Sequence, residues 1–122
     1  MFKNRRDRMS NNNWVGVDLD GTLAHYDEWK GIEHIGEPIQ PMMARVNAWV
    51  SKGVIVKIFT ARASVPEQIP FIHDWLEKHG LPRLEVTNIK DFAMLELWDD
   101  RCIQVVSNTG MPISERCSAV VP

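Results

Sequence analysis

Trp14-Val15-Gly16-Val17-Asp18-Leu19-Asp20-Gly21-Thr22 is a short apolar run that ends in two carboxylates and a glycine. An uncharged run of Trp, Val and Gly predicts a buried strand, and the acids that follow mark its carboxyl end, where the chain enters a loop. Asp18 and Asp20 are separated by one residue, so a regular strand projects both to the same side. Gly21 lets the chain bend there. One carboxylate can then face a metal and a phosphorus atom while the other faces the oxygen that leaves or attacks. Taken alone, an acidic pair at a strand end is more simply a turn cap or a solvated loop.

The rest of the chain supplies the context. Pro38 and Pro41 flank a helical start, and Met42, Met43, Val46, Trp49 and Val50 recur at helical spacing until Gly53 stops the pattern. Residues 54–59 are mostly apolar and rich in β-branched side chains, the pattern of a central parallel strand covered on both faces, and they end at Thr60. A second helix is predicted from about Pro66 to His79, with Ile69, Ile72, Trp75 or Leu76 and His79 near one face and Gly80 and Pro82 ending it. His73 and His79 on that helix read as surface or helix-end residues. Residues 85–88 form a further short strand, and 94–98 and 103–106 are apolar runs separated by Asp99-Asp100-Arg101. This alternation predicts an α/β fold: a single Rossmann-like domain with a mainly parallel sheet flanked by helices on its faces. Ligands of such sheets sit at the carboxyl ends of the strands, which selects Asp18, Thr60, residues 88–90 and Asp99.

With these elements in order, the chain resembles the haloacid dehalogenase-like hydrolase superfamily over residues 14–106. Its first motif is similar to residues 18–22, its second to Thr60, its third to Lys90 and its acidic fourth to Asp99-Asp100. The resemblance implies a phosphohydrolase that carries Mg²⁺ on Asp18, Asp20 through its backbone carbonyl, and Asp99 or Asp100. A strand end turns those last two to different sides, so the expectation is that Asp99 binds and Asp100 supports. Asp18 is then the nucleophile that forms an aspartyl-phosphate, and Asp20 the general acid and base. Thr60, Lys90 and the backbone near Leu19 bind the phosphoryl group, with Arg62 either a further phosphate contact or a solvated loop residue. Asp20 argues against the dehalogenase branch. Asp99-Asp100-Arg101 is similar to the end of the fourth motif in polynucleotide 3′-phosphatases, a minor lead toward nucleic acid.

The intervals where this superfamily inserts cap domains are short here. Residues 22–37 hold only a hairpin-like flap and 61–88 one helix and one strand, which predicts a cap-less enzyme. An open site suits an exposed macromolecular phosphate, a small phosphomonoester, or a homo-oligomer whose neighbour covers the cleft. His25, Tyr26, Trp29 and His34 of the flap are read mainly as packing residues, with substrate stacking as the alternative. His25 and His34 lie among Asp27, Glu28 and Glu33, but without zinc-type spacing.

Composition narrows the class. The 122 residues are 44% hydrophobic and 25% charged with a net charge of −2, which suits one globular domain and offers no global attraction to nucleic acid or membrane. Three segments are expected: a flexible basic start (1–13, with Lys3, Arg5, Arg6 and Arg8), a catalytic domain (14–110) and a tail (111–122). The start has no apolar stretch behind it and does not read as a secretory signal, so the expected location is cytoplasmic. Cys102 and Cys117 are read as reduced thiols.

Two other functions share parts of the pattern. A receiver domain also gathers acids, Thr and Lys at strand ends, but its phosphoacceptor lies on a middle strand, whereas here the middle strand ends in Thr60. A catalytically silent phosphate-binding module on the same fold would keep the fold without the turnover.

Overall fold

The computed structural model describes residues 12–113. The elements run β1 (Trp14–Val17), α1 (Gln40–Ser51), β2 (Ile55–Phe59), two 3₁₀ turns (Ala61–Ser64 and Pro66–Gln68), α2 (Ile69–Lys78), β3 (Val86–Thr87) and β4 (Met94–Trp98). Strand order is β3-β2-β1-β4, with every pair parallel. The chain is therefore a small α/β fold on an all-parallel sheet. The basic start up to residue 11, and residues 114–122 with Cys117, lie outside the described residues.

Helix limits follow local chemistry. Prolines open both helices, and Gly53 and Gly80 follow their ends at φ 82° and 83°, a left-handed backbone that side chains other than glycine resist. Met42, Met43 and Val46 of α1 and Ile72, Trp75 and Leu76 of α2 join Val15, Val17, Val56 and Ile58 in one buried core. These strand residues alternate along the chain, so they belong to one side of the pleat. Handedness explains why both helices share it. The crossovers β1-α1-β2 and β2-α2-β3 step in the same direction along the sheet, and right-handed connections stepping one way lie on one face.

The expectation of helices on both faces is thus corrected. The β3 to β4 connection, residues 88–93, steps back the other way and carries no helix. It must cross three inter-strand spacings, about 14 Å, and a chain of this length reaches only about 20 Å when extended. There is no slack for a helical turn. The crossover instead lies against the opposite face, where the Trp14 indole donates to Asp91 Oδ1 at 2.9 Å and Asn13 Nδ2 to the Ala93 carbonyl at 3.2 Å. Trp14 stacks on Phe59 there, and Gly16 makes room, since a Cβ would lie 3.1 Å from both Leu97 and the Trp14 ring. Asn13, assigned to the basic start, therefore packs with the sheet.

The apolar run 103–106 does not extend the sheet. Val106 N–H donates to the Met111 carbonyl and Ile113 N–H to that of Gln104, both at 2.8 Å, forming a small hairpin turned at Asn108 and Gly110, both with positive φ. This hairpin straddles the boundary expected at residue 110. Among the described residues no helix is long and apolar enough to cross a membrane.

One-sided packing makes neighbouring positions of β2 unequal. Ile58 is fully buried in the core and Ile55 is 41% exposed on the other face. Ile58→Ala is expected to cost about 2–5 kcal/mol and Ile55→Ala about 1 kcal/mol or less. Urea denaturation checks this, and equal losses would mean that the second face is covered as well.

Candidate functional site

β1 and β4 are neighbours in a register that sets Val17 beside Trp98, so both strands deliver their next residue to the same end of the sheet. Asp18 N–H donates to the Trp98 carbonyl at 2.9 Å, fixing the start of the loop. The loop is tight. The Leu19 carbonyl accepts from the amides of Thr22, Leu23 and Ala24, and the buried side chains of Leu19, Leu23 and Ala24 anchor it below. Gly21 has φ 92°, and a Cβ there would sit 2.5 Å from Asp100 Oδ2, so glycine is required both for the bend and for the approach of Asp100.

Asp18, Asp99 and Asp100 each offer a carboxylate oxygen, and these oxygens lie within 4.8 Å of one another. The expectation that a strand end separates Asp99 from Asp100 misses the turn that follows β4. Asp99 Oδ1 accepts from Arg101 N–H at 2.8 Å, folding the chain so that both side chains reach Asp18. The Thr22 hydroxyl sits between them, 3.4 Å from Asp18 Oδ2 and 3.3 Å from Asp100 Oδ1, and accepts from Asp100 N–H at 3.1 Å. Its single hydrogen serves one carboxylate at a time. Burial, then the bond to Asp100, then the charges of Asp99 and Asp100 push the Asp18 carboxyl up to about 8 from its ordinary 3.8.

This donor set fits a hard divalent ion. Oxygens around Mg²⁺ at about 2.1 Å are separated by about 3 Å when adjacent and about 4.2 Å when opposite, so oxygens this close need only small adjustments. A cation there would also offset the burial and the like charges that together hold the proton on Asp18.

The other site residues are distributed around this triad. Thr60 is 2% exposed, and its hydroxyl accepts from Arg62 N–H at 3.1 Å, capping the turn Ala61–Ser64. Lys90 is exposed on the crossover and lines, with Asp99 and Cys102, a cavity of about 630 Å³ along β4. Burial and the Asp99 charge push the Cys102 thiol up, which makes it a poor thiolate nucleophile.

Asp20 is not among the triad carboxylates. Both of its oxygens accept from Arg62, from Nε at 2.8 Å and Nη2 at 2.9 Å. Arg62 is accordingly neither solvated nor turned to an open phosphate site; it is buried at 6% exposure. Trp29 packs over its guanidinium at 4.8 Å, while His25, Tyr26 and His34 are exposed. His73 Nε2 lies 2.9 Å from the Leu84 carbonyl, and His79 packs against Trp75. The Asp20–Arg62 pair had no signal in the sequence, being separated by 42 positions. The bridging role of Thr22 had one, in its place within the acidic loop.

Comparison with protein-family models, curated proteins and solved structures finds no match to this chain.

The raised Asp18 carboxyl has a testable sign. Between 3.8 and about 8 the folded state holds a proton that the unfolded state has lost, so stability falls as pH rises across that window. In chelator, the melting temperature is expected to fall from about pH 5 to about pH 8, and Asp18→Asn to lessen that fall. Mg²⁺ should raise the melting temperature more at the higher pH, because ion binding competes with the proton. Scanning calorimetry checks all three, and identical pH slopes in variant and parent would show that Asp18 does not carry the proton.

Proposed function

We propose that this chain is a Mg²⁺-dependent phosphohydrolase of the haloacid dehalogenase-like type, built on a Rossmann-like domain without a cap. The observation that carries the reading is the convergence of Asp18, Asp99 and Asp100 at the carboxyl ends of adjacent parallel strands. A cation would relieve the repulsion among three carboxylates so close, and hard oxygen donors suit Mg²⁺. Asp18, the Asp20 carbonyl and Asp99 or Asp100 would hold the ion. When bound it supplies charge neutralisation for the phosphoryl oxygens.

The protein groups divide the remaining work. Asp18 attacks phosphorus; a new P–O bond forms as the bond to the leaving oxygen breaks, and Asp20 gives that oxygen its proton. Water then attacks the aspartyl-phosphate, its proton passes to Asp20, and the bond between phosphorus and Asp18 breaks to release phosphate. The Thr60 hydroxyl hydrogen, the Lys90 ammonium and the amide of Leu19 stabilise charge on the equatorial oxygens. The short flap and the absence of any inserted domain between residues 61 and 88 support an open site for small or exposed phosphomonoesters. Asp99-Asp100-Arg101 keeps 3′-phosphorylated polynucleotides among the substrates to be tried.

One observation favours a second reading. Both oxygens of Asp20 are occupied by Arg62, which suits a silent phosphate-binding module on the same fold.

Turnover separates them. Phosphate release from an aryl phosphate is expected to require Mg²⁺, to stop in EDTA, and to fall on the order of 10³-fold or more in Asp18→Asn. Asp99→Asn and Asp100→Asn should raise the Mg²⁺ concentration needed for half activity. Metal-independent release or full activity in Asp18→Asn refutes the mechanism. Failure on nucleotides, sugar phosphates and 3′-phosphorylated oligonucleotides alike favours the binding module.

A further inference from the structure

Arg62 belongs to a short surface turn yet is almost fully buried, and its donors point in two directions. Nε and Nη2 hold both oxygens of Asp20, while Nη2 and Nη1 donate to the carbonyls of His34 at 3.0 Å and Ile32 at 3.3 Å in the flap. Trp29, also in the flap, lies over the guanidinium. The root of the side chain is fixed as well, because Arg62 N–H bonds to Thr60. A buried guanidinium is tolerated only when paired and hydrogen-bonded, so each partner constrains the others.

The base of the flap does not depend on this group. His25 N–H donates to the Glu37 carbonyl at 2.8 Å, Ala24 bridges Pro38, and the Trp75 indole donates to the Gly36 carbonyl at 2.9 Å. Its middle, residues 29–34, is where Arg62 bonds and stacks. Arg62 holds backbone carbonyls there, so its bonds exist only with the flap in this position.

We propose that Arg62 is a positioning residue that locks the Asp20 carboxylate and the middle of the flap into one unit, so that opening of the flap frees Asp20. Its catalytic consequence rests on the phosphohydrolase reading; the mechanical coupling does not. Arg62 acts through Asp20 and makes no phosphate contact, because four of its five N–H groups and one face are taken within the protein.

Two readouts test this on the full chain. Trypsin cleavage after Lys30, located by mass, reports the open flap, since native-state proteolysis follows the population of the open form. Arg62→Lys keeps the charge but loses the fork, and it should speed this cleavage about tenfold, as should Asp20→Asn. Trp29→Ala, at an exposed position, provides the same test if Arg62→Lys does not fold. Parent-like cleavage in every folded variant overturns the lock. With aryl phosphate and Mg²⁺, Arg62→Lys should lower kcat about 10- to 100-fold with KM within about twofold, the signature of misplaced catalytic groups. The double variant Arg62→Lys, Asp20→Asn should be no slower than Asp20→Asn alone. Additive losses with a raised KM overturn the proposal in favour of a phosphate contact. Faster cleavage in the variants of a protein without turnover supports the lock and refutes the phosphohydrolase reading.

Discussion

The convergence of Asp18, Asp99 and Asp100 in a half-buried corner is the constraint around which the rest of the site is arranged. Backbone hydrogen bonding between β1 and β4 brings the acids together whether or not their charges favour it, since Asp18 N–H is committed to the Trp98 carbonyl. The buried loop of Leu19, Leu23 and Ala24 then prevents the first acid from swinging away. A carboxyl confined this way keeps its proton far above the usual carboxylate range.

Among the described residues, the two faces of the scaffold that enforces this are covered unequally. Both helices cover one face, and on the other a crossover too short for a helix is tied down by Trp14 and Asn13. That crossover also carries Lys90, which lines the cavity along β4 together with Asp99.

Asp20 illustrates how two acids of one short loop acquire different surroundings. Asp18 is pressed against like charges, whereas Asp20 is held by a guanidinium that is itself packed beneath the flap. The proposed division of work between a nucleophile and a proton carrier would rely on environments that diverge in this way. The loop geometry alone does not separate them; the neighbours do.

Much of this was legible in the chain itself. Apolar strands ending in acid, proline-opened helices and glycine stops are local features, and from them the helices, the four strands of a parallel sheet and the places of Asp18, Thr60 and Asp99 just past strand ends could be read. Three things were not legible: the single-sided placement of the helices, the return of residues 104–113 as a hairpin, and the partners of Asp20 and Asp100. Each depends on where distant segments meet. Handedness and connection length assigned the helices to one face, the turn after Trp98 brought Asp100 to Asp18, and burial beneath Trp29 gave Arg62 to Asp20. Sequence spacing encodes direction along a strand or helix, but a contact across 42 or 78 positions exists only once packing has brought those segments together.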